Sequence, residues 1–380
     1  MPRFAVWAIC LGGIAVNVWC AWNLFLPGAA GTGRNDFLGL YAGGQLAGTP
    51  GLYNPATVRA AEGRVSGETG LPFPRLPYYA LLLKPLTWMP YRTAYAVWEV
   101  VMLAALAAFA MLWPHDDRAH AWMLCCWSVP AWVSLFNGQD VALLLLWVAL
   151  AARLLKIGWA AAAGAVLALC AAKYHLVVLV PLVVLAQRRW RMAAGAVAAG
   201  AVMLAASFLV AGVSWPGQYW AAMADPGIQQ AVSRMPNLYA LLRPLPFGLE
   251  MDWAAAVLVA ATVFLAARRA SGFAGPLALA LVGSLLVSPH TYLADCALLL
   301  PALIIATGTG VRGGKRLSAI ALASPVPWFL LQLPVPLPTV TRLLMVALVY
   351  TVAASLGLGW HSAAAPAAQT QAGATAGKAG

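Results

Sequence analysis

Apolar residues fall along this chain in long runs, each ended by a charge or by Pro and Gly, and such runs read as membrane-crossing helices. Twelve runs stand out, at 4–27, 94–113, 119–136, 140–155, 157–172, 174–187, 192–212, 252–267, 274–288, 294–309, 317–333 and 340–359. A perpendicular crossing takes about 20 residues, and several runs are shorter. The two flanking Lys173 predict a short helical hairpin that dips in from one side. The whole pattern predicts an all-α polytopic membrane protein, a bundle of about 12 transmembrane helices with a range of about 10–13.

Two connections are long, 28–93 and 213–252. In the first, the apolar stretch 78–89 lies between Pro77 and Pro90 and is too short to cross a bilayer. It predicts short interfacial helices within a long extracytoplasmic first loop. The second carries Trp215, Tyr219, Trp220 and Tyr239, an aromatic belt expected to rest on the membrane surface. The run starting at Phe4 is too long for the core of a usual secretory signal and precedes a poor cleavage site, so it reads as an uncleaved first span. With no clear internal repeat, residues 1–360 form a single transmembrane domain, and the Ala/Gly/Gln/Thr-rich segment 361–380 reads as a disordered tail.

Composition agrees: 63% of the 380 residues are apolar and 9% are charged, against about 45–50% and about 25% in soluble domains. A cytosolic enzyme, a disulfide-stapled secreted domain and a disordered chain are excluded. The six cysteines all lie inside apolar runs and read as small buried apolar residues. The net charge of +12 is no sign of nucleic acid, because the 23 Lys and Arg sit in ones to threes between apolar runs. They set orientation instead. With the amino terminus inside, alternate connections place Arg3, Arg118, Arg153, Lys156, Arg188, Arg189, Arg191, Arg268, Arg269, Arg312, Lys315, Arg316 and Lys378 on the inner side. Six of the other ten fall in the long first loop, which the positive-inside rule largely exempts. Both termini are then cytoplasmic, and the Ala/Gly-rich composition suits a bacterial plasma membrane.

The eleven acids divide unevenly: only Asp116 and Asp117 fall inside, while Asp36, Glu62, Glu68, Glu99, Asp140, Asp225, Glu250, Asp252 and Asp295 fall on or near the outer face. A working site on that face is the first expectation. Asp36, just beyond the first span, can act as a general base on a hydroxyl or cap the helix that follows it. His290 lies with Tyr292 and Asp295 at a span boundary, where the three can bind phosphate and relay protons or form an ordinary interfacial turn. Lys173 sits deep in an apolar stretch, where an ammonium costs about 2.5–3.5 kcal/mol unless it meets an anion or reaches an aqueous interface. Asn137, Gly138, Gln139 and Asp140 form a polar turn between two spans. No H-E-x-x-H or G-x-S-x-G motif, phosphate-cradling loop or metal cluster is present, so no cofactor and no metal are expected.

In order and spacing these pieces resemble glycosyltransferase family 87, polyprenol-phosphate-dependent hexosyltransferases of the GT-C class that includes actinobacterial mannosyltransferases. The marks are Asn35, Asp36, Phe37 and Tyr41 after the first span, Leu52-Tyr53-Asn54-Pro55, the stretch 78–90 followed by Ala96-Val97-Trp98, Asn137-Gly138-Gln139, Lys173 with Arg188-Arg189-Trp190-Arg191, and Ser288-Pro289-His290 with Tyr292 and Asp295. This chain has Lys173-Tyr174 where the family often has Lys-Pro. The resemblance implies a GT-C-like bundle that moves a hexose, mannose first, from a polyprenyl-phosphate sugar donor to a lipid or glycan hydroxyl on the extracytoplasmic face. It implies Asp36 as the base of an inverting attack and Lys173, His290 and Arg243 as ligands of the donor phosphate. Asn35, Tyr41, Tyr78, Asn137, Gln139, Tyr292 and Asp295 are the implied substrate-pocket residues, with membrane lipid as a partner. The competing class is a transporter or lipid-carrier flippase, which would use the same buried Lys173 and boundary His290 along a translocation path. Gathering of Asp36, Lys173 and His290 at one cavity separates the two.

Overall fold

The computed structural model of the chain describes residues 3–20, 22–23, 35–65, 73–114, 118–225, 232–308, 314–332 and 337–358. Within them every regular element is helical, the form that satisfies backbone polar groups inside an apolar run. The helices are α1 (Arg3–Cys20), α2 (Asp36–Gln45), α3 (Pro55–Gly63), α4 (Pro77–Leu83), α5 (Tyr91–Leu112), α6 (Arg118–Trp127) and α7 (Val129–Phe136). There follow α8 (Val141–Lys156), α9 (Ala160–Ala168), α10 (Val180–Ala186), α11 (Trp190–Ala211), α12 (Trp215–Met223) and α13 (Leu238–Leu242). The last are α14 (Gly248–Arg269), α15 (Ala274–Val287), α16 (Leu300–Ala306), α17 (Gly314–Ala323), α18 (Val326–Leu330) and α19 (Leu337–Leu358). Tighter 3-10 turns cover Lys84–Trp88, Leu169–Leu176, Val232–Arg234 and Ala294–Leu299. The expected tail, 361–380, and the acids Glu68, Asp116 and Asp117 lie outside the described residues.

Fewer helices than apolar runs are long enough to cross a membrane alone. Among the described residues α5, α11 and α14 qualify, with 22 residues each, and α6 with α7 makes a fourth if their 59° bend counts as one span. The other runs are broken or short for local reasons. Ser128 caps α7 and Pro130 occupies its first turn, so the 119–136 run bends there. The 294–309 run starts as a 3-10 turn before α16, which carries Pro301 near its start. The 157–187 stretch breaks at Lys173, whose φ of −126° and ψ of 61° are not helical.

That break reverses the chain. A Cβ on Gly164 or Gly195 would collide with the backbone of Met192 or Ala161 respectively, so the starts of α9 and α11 lie side by side in close contact. Gln187, just after α10, donates to Ala267 O (3.2 Å) and Gly272 O (2.7 Å). Arg189 stacks 5.4 Å over the Phe273 ring. The ends of α10 and α14 and the starts of α11 and α15 therefore meet at one end of the bundle, rich in arginine. The Lys173 break, the start of α2, the α7–α8 turn and the end of α15 meet at the other.

Burial sorts the helices. In α15 every residue from Gly275 to Leu286 is buried. On α11 only Met192 and Ser207 are buried, and on α14 only Gly248, Val263 and Ala267, so both carry an apolar outer surface. All six cysteines are buried and unpaired by disulfides. The first-loop stretch forms α4 and its 3-10 continuation, leaving Leu82 and Trp88 exposed. In the second connection Trp220 is exposed, but Trp215 and Tyr219 are buried, against Phe208 and Tyr53. Half of the expected aromatic belt is thus core.

Candidate functional site

The site is assembled by a turn, a helix start and two helix breaks. Asn35 sits at the cap position of α2 in an extended conformation but does not cap with its side chain, which instead accepts a hydrogen bond from Tyr91 OH at 3.0 Å. Asp36 is then the first helical residue, where the positive end of the helix dipole favours a carboxylate. Its backbone N–H donates to Asn137 O at 2.9 Å, and its Oδ2 accepts a hydrogen bond from Gln139 Nε2. Asp36 does not serve as a cap.

The 137–140 turn is fixed from both sides. Gly138 has a φ of +68°, the left-handed region that glycine adopts freely, and a Cβ there would come within 2.4 Å of Phe37 Cβ. Tyr95 OH donates to Phe136 O (2.8 Å) and Trp98 Nε1 to Gly138 O (2.9 Å). The Phe37 ring packs among Tyr41, Tyr91, Tyr95 and Trp98 at centroid distances between 5.5 and 6.0 Å.

Beneath this turn lies a buried charge cluster. Asp140, fully buried, receives two parallel hydrogen bonds from Arg75, Nε to Oδ2 and Nη2 to Oδ1, both 2.8 Å. Lys173 Nζ donates to Asp295 Oδ1 (2.8 Å) and to Gln139 Oε1 (2.8 Å), and lies 3.6 Å from Asp140 Oδ1. Asp295 is further held by the Tyr292 N–H at 2.9 Å. The departure from helical geometry at Lys173 lets an apolar run deliver an ammonium to these partners. Two cations thus face three carboxylates. Arg75, Lys173, Asp140 and Asp295 form a buried floor, whereas Asp36, Asn137 and Gln139 are only half-buried and line its rim.

The electrostatics of floor and rim differ. Burial would raise the Asp140 carboxyl, but the Arg75 guanidinium, the Lys173 ammonium and the hydrogen bonds from Arg75 hold it below its usual value. Burial also raises Asp36, and here it prevails: the Gln139 hydrogen bond and Lys173 oppose it incompletely, and Asp295 adds to it. Among the described residues no cation is within ion-pair distance of Asp36.

His290 is exposed on the same side, its ring 5.8 Å from that of His175 and 4.8 Å from that of Tyr292. Its loop is shaped by Ser288, whose hydroxyl donates to His290 O (3.0 Å), and by Asn237, which donates to Ser288 O (2.8 Å). Tyr41 OH donates to Met89 O (2.7 Å), and Tyr78 is buried, its hydroxyl without a hydrogen-bond partner among the described residues. Arg243 stands apart, exposed, with its guanidinium 5.3 Å over the Tyr239 ring. The structure therefore joins Asp36, Gln139, Lys173 and Asp295 by hydrogen bonds, places Tyr292 and His290 beside them, and leaves Arg243 out of this network.

Two members escape sequence reading. Arg75 lies in a Pro-rich part of the long loop, where no periodicity marks its depth. His175 follows Lys173 by two residues, and that proximity was its only signal. Among the described residues no three His, Cys, Asp or Glu side chains are grouped to hold a metal ion. What the arrangement can do is take up a proton at Asp36 while the floor keeps its charges.

A family model described as Glycosyltransferase family 87 matches residues 76–289, more than half of the chain. The matched segment contains Gln139, Asp140, Lys173 and His175 and stops one residue before His290, while Asp36, Arg75 and Asp295 lie beyond its limits. No curated protein and no solved structure matches the chain.

Proposed function

The chain belongs to glycosyltransferase family 87, and from that membership and the Asp36 cluster we propose a polyprenyl-phosphate-dependent hexosyltransferase acting on the extracytoplasmic face of a bacterial plasma membrane. As a member of that family with long apolar helices it is a membrane glycosyltransferase. The finer reading starts from one observation. Of the three carboxylates in the cluster, Asp36 is the one whose direct partner is a neutral amide rather than a cation.

A base must be free to gain a proton, and Asp140 and Asp295 are not, because each would give up a buried ion pair. Asp36 takes the proton of an acceptor hydroxyl as its oxygen attacks the anomeric carbon of the sugar. The bond from that carbon to the phosphate oxygen breaks with its electron pair, polyprenyl phosphate leaves, and the anomeric configuration inverts. His290, exposed beside the cluster, is placed to donate to the leaving phosphate. Lys173 contributes its positive field from the floor, its N–H groups being directed at Asp295, Gln139 and Asp140.

We assign mannose as the first sugar to test and a lipid or glycan hydroxyl as acceptor. The bundle is read as GT-C-like with about 12 crossings, some of them broken helices. The separation of arginine-rich and acid-rich ends supports cytoplasmic termini and an outward-facing site. The gathering of Asp36, Lys173 and His290 at one place favours transfer over a translocation path. The test is transfer of labelled sugar from a panel of polyprenyl-phosphate hexoses in proteoliposomes, with the glycosylated product identified. Asp36→Asn should lower turnover by about 10²–10⁴-fold in a folded protein, and turnover near the wild-type rate overturns the reading.

A further inference from the structure

Gln139 stands between two charges that do not touch. Its Oε1 accepts from Lys173 Nζ at 2.8 Å, and its Nε2 donates to Asp36 Oδ2. A primary amide has one accepting end and one donating end. With the ammonium on the oxygen, only the nitrogen is left to face the carboxylate. The flipped amide would set N–H against ammonium and carbonyl oxygen against carboxylate, two repulsive contacts in place of two attractive ones. Lys173 cannot follow such a flip, because it is anchored on Asp295 at 2.8 Å and faces Asp140 at 3.6 Å, itself held bidentately by Arg75. The backbone on each side is equally fixed, by the Asp36 N–H on Asn137 O and by the left-handed Gly138.

We propose that Gln139 is a positioning residue through which the buried Lys173–Asp295 pair sets the orientation and ionisation of Asp36. The floor thereby controls the base without contacting it. Which Asp36 oxygen is engaged is fixed by the amide, and the other oxygen is left for the substrate hydroxyl. This rests on the reading of Asp36 as the general base.

The charged groups acting on Asp36 are Lys173, Asp295 and Arg75. Asp140, His175 and His290 belong to the same cluster, and Glu62, Lys84, Tyr91, Tyr95 and Glu99 lie on the elements around α2. Apart from the residues substituted, all of these remain in every variant described below.

The experiment is a pH titration of the full-length protein in liposomes by infrared difference spectroscopy, with the Asp36 carboxyl band identified by its loss in Asp36→Asn. Gln139→Leu should move the Asp36 midpoint up by about one to two pH units, the size of a lost hydrogen bond to a charged group. Gln139→Glu, near-isosteric and still able to accept from Lys173, offers no N–H when ionised and should also move it up. The double substitution Lys173→Met with Asp295→Asn removes both buried charges together, so neither is stranded. It should raise the midpoint when Gln139 is present and by less than half as much in the Gln139→Leu background. Equal shifts in the two backgrounds, or an unmoved midpoint in both Gln139 variants, overturn the relay. Transfer from undecaprenyl-phosphate mannose and the other donors of the panel is followed in the same liposomes. Active Asp36→Asn with the coupling intact overturns the base reading alone, whereas inactive Asp36→Asn without the coupling overturns only the role of Gln139.

Discussion

The floor and the rim of the site use the same residue types to opposite ends. On the floor, Asp140 and Asp295 are each bound to a cation at 2.8 Å and withdrawn from solvent, at 0% and 2% exposure. On the rim, Asp36 is half-buried and held by an amide. A carboxylate locked to a guanidinium gives structure, because protonating it forfeits the pair. One held by a neutral donor keeps its orientation and can still take a proton. The difference separates scaffold from chemistry within a single cluster, and acidification should expose it. Asp140 lies below its ordinary value, so its contribution is present above the unfolded-state value and is lost only as pH falls through the lower folded value. Asp36 lies above its ordinary value, so it is protonated first.

The largest effect expected from this contrast is on the rim. Asp36→Asn should lower transfer by about 10²–10⁴-fold, the usual contribution of a general base, while thermal unfolding in membranes stays where it was. In the wild-type protein the acid limb of the rate against pH should fall above the free aspartate value of about 3.9, because the raised base must be ionised to act. An acid limb at or below that value erases the distinction. On the floor the order reverses. Arg75→Met removes both hydrogen bonds to Asp140 and leaves it only Lys173 at 3.6 Å, which should cost about 3 kcal/mol of stability, read as loss of folded protein, with much of it regained by adding Asp140→Leu. An Arg75→Met protein of normal stability would show that the bidentate pair is not scaffold.

A smaller effect is expected where floor and rim join. Gly138→Ala places a Cβ 2.4 Å from Phe37 Cβ in a left-handed backbone, which should cost about 1–3 kcal/mol. Relief requires the 137–140 turn to move off α2, which lengthens both bonds from the turn to Asp36. Activity should fall more than stability does, and a change in stability with undiminished transfer would detach the turn from the base.

The charged members of this site were readable to the extent that depth could be read. Lys173 stands in an apolar run, so its need for an anion follows from hydropathy. Its partners do not follow, because Asp295 and Gln139 lie 122 and 34 residues away in sequence. The grouping of Asp36, Asp140 and Asp295 on one side was suggested by assigning alternate connections to the two faces. Arg75 was not, because a loop carries no periodicity from which burial can be inferred. The all-helical class was evident from the runs, but twelve runs did not translate into twelve long helices. Prolines near the starts of α7, α10 and α16 and the break at Lys173 cut runs into pieces. Trp215 and Tyr219 illustrate the same limit, since an aromatic residue near a boundary has the same sequence signature whether it faces lipid or the core.

The smallest effect separates two nitrogen groups that sequence treats alike. His290 and Lys173 were both expected to meet the donor phosphate, yet His290 is exposed while Lys173 is 5% exposed and already bound to protein oxygens. A ligand can gain little from an ammonium whose donors are directed elsewhere, whereas the His290 imidazole can turn an N–H to the ligand without breaking an ion pair. His290→Ala should therefore raise the apparent KM for a polyprenyl-phosphate donor about five- to tenfold, as removal of one hydrogen bond does, with a lesser change in kcat. Lys173→Met paired with Asp295→Asn should do the opposite, lowering kcat through Asp36 and leaving the donor KM within about twofold of the wild type. If the lysine pair carries the larger KM change, the ammonium leaves the floor when donor binds, and Lys173 belongs with the rim.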